Sequence, residues 1–194
     1  EPRRVDATRS AKGLYLRTFD QKKGEAVGEN DPLETLDRAA LKYAASERFA
    51  PLPNGMVAWW LGNGEDKQQN EAPSSVIQTD HTGGRDKRLL VGISCVRCHG
   101  ESKEANWIQE LSGIERIREV RVYDEKALFK VLELRRQYTA ALAPEIDADR
   151  RLYSAAVAQV TDGWTVQEYA AAYGKIYAHY DEARVDAARI GRAL

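Results

Sequence analysis

Apolar and polar residues first alternate along Gly13-Leu14-Tyr15-Leu16-Arg17-Thr18-Phe19, and that period of two predicts a short strand. Residues 1–12 ahead of it are charged and aperiodic, which predicts a flexible N-terminal arm before a single domain over 13–194. Asp31-Pro32-Leu33-Glu34 offers a capping residue, a proline at the first helical position and an acid in the first turn. Leu33, Leu36, Ala40, Leu41 and Ala44 then share one helical face, so a helix is expected over 32–47, ended by Pro51 and Pro53. The apolar run Met56 to Leu61, bounded by Gly55 and Gly62-Asn63-Gly64, reads as a strand whose return is Ser75-Val76-Ile77-Gln78. The rest of 62–88 is polar, glycine-containing and charged, and is expected to be loop.

Helical spacing dominates the second half. Ile114-Glu115-Arg116-Ile117 is a short helical or extended piece, and Asp124 caps a longer helix striped by Ala127, Val131, Leu134, Tyr138 and Leu142 that stops near Pro144. A further helix is expected from Asp147 to Val160, broken by Thr161-Asp162-Gly163. Thr165-Val166-Gln167-Glu168 is a capping box opening the last helix, with Tyr169, Ala172, Tyr173, Ile176 and Tyr180 at helical spacing. No internal repeat occurs. The pattern predicts a mainly α (α+β) domain with short N-terminal strands and several C-terminal helices.

Composition narrows the class. A chain of 194 residues, 43% hydrophobic and 30% charged, has the make-up of one globular domain. A formal charge of −1 argues against a nucleic-acid surface and leaves short-range patches to choose protein partners. No apolar run reaches the roughly 18 residues of a membrane span, although association with a membrane complex stays compatible. No signal peptide stands at Glu1, so a removed leader or lipid anchor is expected if the protein is exported.

Cys95-Val96-Arg97-Cys98-His99 uses both cysteines of the chain in a C-x-x-C-H pattern. Two thiols at this spacing suit the two vinyl groups of one porphyrin, and the adjoining imidazole then serves as an axial iron ligand. The expected cofactor is therefore one covalently attached haem c, with Cys95 and Cys98 as thioether anchors and His99 as proximal ligand, in a cytochrome-c-like haem domain. A zinc site would need two further ligands, and His81 and His179 lack the close pairing of Cys₂His₂ sites. A thioredoxin-like thiol pair would need a βαβ unit that the pattern does not offer. Covalent haem attachment takes place on the export side, so a periplasmic or otherwise extracytoplasmic location is expected.

The sixth iron position is open to several side chains. Met56 is the only methionine and a thioether raises the reduction potential, but it lies upstream of the motif and equally suits a gap beside Trp59 and Trp60. His81, in the polar Asp80-His81-Thr82-Gly83-Gly84, would give bis-histidine ligation, and His179 lies among tyrosines on the last helix. An open site, water, Lys or Tyr completes the choices. Arg97, Arg116, Arg118, Arg121, Arg85, Lys87 and Arg88 are candidates for pairing with haem propionates. Trp59, Trp60 and Trp107 are candidates for lining the porphyrin or for ordinary core packing.

Pro51-Leu52-Pro53-Asn54-Gly55-Met56, Glu71-Ala72-Pro73 and Gly92-Ile93-Ser94 running into Cys95–His99 resemble a family of exported single-haem cytochrome domain proteins common in planctomycetes and some other bacteria. Arg136-Gln137-Tyr138-Thr139-Ala140-Ala141-Leu142 and Ala170-Ala171-Ala172-Tyr173-Gly174 are similar to that family's later helical segments, so the resemblance spans about 13–175. It implies covalent haem, an extracytoplasmic place and a redox role, with no defined substrate; the family's residue at the position of Met56 is leucine. Two functions fit: one-electron transfer, free or as a subunit of a larger redox assembly with a protein partner, or a haem with a displaceable sixth ligand that binds CO or NO or reacts with peroxide. The first needs no catalytic side chain beyond the iron ligands, and it is the reading favoured.

Overall fold

The computed structural model describes residues 3–21, 41–72, 89–100 and 125–180, with the side chains of 125–128, 135, 139 and 177–180 left aside. Among these residues four strands form one antiparallel sheet in chain order: β1 (Arg3–Ser10), β2 (Gly13–Asp20), β3 (Ala45–Pro51) and β4 (Val57–Asn63). Among the described residues the helices are α1 (Ile93–Gly100), α2 (Glu125–Gln137), α3 (Ala143–Val160) and α4 (Val166–Tyr180), with a π-helical turn, Tyr138–Leu142, joining α2 to α3. The sheet is a full structural layer, so the expected mainly helical class is corrected to α+β.

Two elements overturn the local reading. The segment read as a flexible arm contains β1, paired residue by residue from Arg3↔Asp20 to Ser10↔Gly13. Its charges do not oppose strand formation, because β1 is an edge strand and charge on an edge discourages pairing with other chains. The helix expected over 32–47 is contradicted where it can be seen: 41–44 are not helical and Ala45 begins β3, while 32–40 lie outside the described residues. Pairing of β3 with both β2 and β4 outweighs the weak helical spacing of Leu41 and Ala44. The strands expected at Gly13 and Met56 are found as β2 and β4; the return at Ser75–Gln78 lies outside the described residues.

Strand parity sorts the side chains. Leu14, Leu16, Thr18 and Asp20 share one face of β2 and register with Phe49 and Ala45 of β3 and with Trp59 and Asn63 of β4. Helix α3 covers the apolar end of that face with Ile146, Asp149, Tyr153, Ala156 and Val157, which share one helical face. Leu14, Leu16, Phe49, Val57, Ile146, Tyr153, Val157 and Val166 form the core. Asp149 is buried among them because its carboxylate accepts the Leu14 backbone N–H at 2.7 Å, which fixes α3 against the start of β2. Gly13, at φ +132, leaves no room for a Cβ beside that carboxylate.

The long helix does not stop at Pro144. It widens by one π turn, and Pro144 then occupies the first turn of α3, where a missing N–H costs nothing. The stripe expected on α2 is realised in part: Val131 is buried and Leu134 exposed. On α4 the buried positions are Val166 and Ala170, while Ile176, expected on the inward stripe, is exposed.

The capping box forms as expected, with the Thr165 N–H donating to Glu168 at 2.8 Å and the Glu168 N–H donating to Thr165 Oγ1 at 3.2 Å. The Thr165 N–H and the Thr165 hydroxyl, both donating to the Glu168 carboxylate, hold it below its ordinary value. Thr165→Ala is expected to lower stability by about 1 kcal/mol, the usual cost of losing a side-chain cap, as read by chemical denaturation. An unchanged midpoint would show that the cap forms only weakly.

Candidate haem-binding site

The C-x-x-C-H motif is helical from end to end. Gly92 precedes it at φ +80, a backbone conformation that favours glycine, and buried Ser94 locks the entry by accepting the Leu90 N–H at 3.0 Å and returning its own N–H to the Leu90 carbonyl. A backbone bond from Ala72 N–H to the Leu89 carbonyl, 2.9 Å, ties this approach to the segment after β4.

The helix α1 is wedged between the sheet and α4. On one side, Gly100 lies so close to Ala170 that a Cβ on it would overlap, and Arg97 Cδ would lie 3.2 Å from a Cβ on Gly174. On the other side, the His99 ring meets Trp59 at 4.8 Å and Phe49 at 5.6 Å between centroids, and Phe49 and Trp59 meet edge to face at 5.2 Å. Cys95 is one helical turn from His99 and feels the charge of Glu47, two residues before Phe49 on the same strand face. The side of α1 that carries Cys95 and His99 therefore faces β3 and β4.

Both cysteines are free thiols and partly accessible. Burial pushes the Cys95 thiol up to about 12, with the charges of Glu47 and Cys98 adding to it, so it is a neutral thiol at ordinary pH. His99 Nδ1 is screened from solvent.

This donor set fits a covalently held porphyrin: two thiols three apart on one helix, an imidazole beside the second, and an aromatic wall opposite. Among the described residues no three His, Cys, Asp or Glu converge as a metal cage would require. Among the described residues the strands pair antiparallel, unlike the βαβ setting of a thioredoxin-type pair.

The remaining candidates separate. Met56 packs, half-buried, against the core cluster that contains Phe49 and touches Trp59. Trp59 belongs to the site, but Trp60, one residue on, points to the opposite face, where Arg48 stacks 3.9 Å above its ring. Trp60 is thus corrected from candidate haem wall to partner of an arginine. That outer face is held by Asp66, which bonds Arg17 at 2.8 Å and Tyr43 at 2.9 Å and pairs with Arg48 at 2.6 Å. Burial would raise the Asp66 carboxyl, but these donors outweigh it and hold it low.

Arg97 is buried at the α1–α4 contact with its guanidinium 3.4 Å from Ser94 Oγ. His81, Arg85, Lys87, Arg88, Trp107, Arg116, Arg118 and Arg121 lie outside the described residues, and His179 is on α4 with its side chain left aside.

Reasoning from the sequence missed Phe49 and Glu47, because it placed 45–47 in a helix. The signal available was the alternation Ala45, Glu47, Phe49, Pro51 against Ser46, Arg48 and Ala50. Glu47 belongs to a polar group at the edge of the same face: Arg3 pairs with Asp20 and lies 3.5 Å from Glu47, and Thr18 Oγ1 donates to Asp20 at 2.8 Å and accepts the Glu47 N–H at 2.9 Å. No protein family, no curated protein and no solved structure matches this chain.

Proposed function

We propose that this chain is a monohaem c-type cytochrome that transfers single electrons outside the cytoplasm, free or as a subunit of a larger redox assembly. The observation that carries this reading is the motif helix itself, which turns His99 toward Phe49 and Trp59 and places half-buried Cys95 within reach of Glu47's charge. The resemblance to exported single-haem cytochrome domains supports the same reading. Cys95 and Cys98 hold the porphyrin as thioethers and His99 binds the iron. When bound, the haem supplies a one-electron ferric/ferrous couple. The chain's part is to fix that couple in an apolar, rigid surround: α1 is clamped by α4 on one side and backed by the core rings of β3 and β4 on the other. Among the described residues no helix is long and apolar enough to cross a membrane, and the partner is a second redox protein that meets this one in the export compartment.

Absorption spectra of the oxidised and reduced protein with and without CO test this reading. Electron transfer predicts a six-coordinate, low-spin haem whose reduced spectrum CO leaves unchanged. Ready CO binding would instead assign a displaceable sixth ligand and small-molecule chemistry. Met56 is our choice for that ligand, since it belongs to the same apolar body as the two rings against His99. Met56→Ala is then expected to abolish the weak long-wavelength sulfur-to-iron band, lower the potential and cost about 2 kcal/mol, the low end for a buried Met→Ala because Met56 is half-buried. The stability loss alone, with an unchanged spectrum, would leave Met56 as core packing, and His81→Ala is the matched control.

A further inference from the structure

Glu47 occupies an unusual place for a carboxylate. Its side chain is only 15% exposed and shares one arginine, Arg3, with a second buried acid, Asp20, whose side chain is 4% exposed. Asp20 has the better share, pairing directly with Arg3 and accepting the Thr18 hydroxyl. Glu47 keeps the longer Arg3 contact, 3.5 Å, and its neighbour across β4 is apolar Leu61. Among the described residues Arg3 is the cation against Glu47, and Asp20 competes for it, so a proton on Glu47 is the least costly way to remove its buried charge.

The position matters as much as the charge. Strand parity puts Glu47 on the face that carries Phe49, one two-residue step from the ring against His99, and its charge reaches Cys95 on α1. The charged groups facing it among the described residues are Arg3 from β1 and Asp20 from β2, with Cys95 from α1, a thiol that no longer titrates once it is a thioether. We propose that Glu47 is the proton site coupled to the redox state of the haem: it binds a proton when the iron is reduced and releases it when the iron is oxidised. This inference rests on the haem reading above.

The electrostatics give the direction. Reduction adds one negative charge to the haem, which favours the neutral form of a nearby carboxyl and raises its affinity for a proton. The balance is one electron and one proton taken up together, the proton coming from solvent onto the Glu47 carboxylate. The midpoint potential therefore falls as pH rises between the proton affinities of the two redox states. Burial, offset in part by Arg3 and reinforced by Asp20, already pushes the Glu47 carboxyl up, so this window is displaced upward from the ordinary carboxylate value.

Redox titration of the full holoprotein across pH, followed by haem absorbance, tests the assignment. The unmodified protein is expected to show a sloping potential in that window, Glu47→Gln a flat one, and Asp20→Asn a retained slope. A reduced-minus-oxidised infrared difference spectrum is expected to show a carboxylic acid band that Glu47→Gln removes, a readout that packing changes alone would not move. A flat potential in the unmodified protein, or a slope and carboxyl band that survive Glu47→Gln, would overturn the proposal while leaving the haem assignment standing. Protein with no covalent haem would overturn both.

Discussion

Replacing Cys95 and Cys98 together by Ala is expected to leave a polypeptide from which all haem is extracted by acidified organic solvent, whereas the unmodified chain keeps its haem. Axial bonds to iron break when acid protonates His99 and unfolds the pocket, but thioether bonds survive. Each single replacement should retain one thioether, and the α band of the alkaline pyridine complex should move stepwise to longer wavelength as each saturated side chain reverts to a vinyl group in conjugation with the ring. The fold should tolerate these changes, because Cys-to-Ala shortens each side chain by one atom and the α1–α4 contact is made by Gly100 and Ala170. Haem that stays attached to the double variant would place the anchor elsewhere.

The second large effect is expected at Phe49. Its side chain is 7% exposed, faces Leu16 on β2 and Trp59 on β4, and touches His99. Phe49→Ala removes the ring that joins the core of the sheet to the motif helix, and should cost about 3–5 kcal/mol. Against a typical total of roughly 5–15 kcal/mol, that is a substantial share of the stability. With about 2–4 °C per kcal/mol for a domain of this size, the melting temperature should fall by roughly 6–20 °C. Denaturant and thermal melts check the value. A loss below about 1 kcal/mol would mean that Phe49 is not part of a packed core.

Features written in a few neighbouring residues were legible in the sequence. The alternation of β2, the glycine-bounded run of β4, the Thr165 capping box and the C-x-x-C-H motif all carry their signal within eight residues or fewer. Features that depend on distant partners were not. The charge of β1 suggested an arm, yet β2 supplies its partner through a hairpin in which Ser10 Oγ bonds the Gly13 carbonyl at 2.6 Å. The core of β3 is set by neighbours on both sides, which a helical reading of Leu41 and Ala44 could not weigh.

That error spread to the site. Once Ala45–Pro51 is a strand, parity alone puts Glu47 and Phe49 on the motif's side and Arg48 on the other. Parity likewise separates Trp59 from Trp60, adjacent residues of one chemical type with opposite roles. Pro144 misled for a different reason: a proline ends a helix in its interior but is accommodated in a first turn, and the π turn before α3 puts it there.

The intact mass of the protein, produced in cells that attach haem c and denatured in acidified organic solvent before measurement, tests the central claim most directly. The account predicts the mass of the polypeptide plus one haem, with the added mass confined to the peptide that contains Cys95 and Cys98. A chain recovered at the bare polypeptide mass, with both thiols free to react with an alkylating agent, would contradict it.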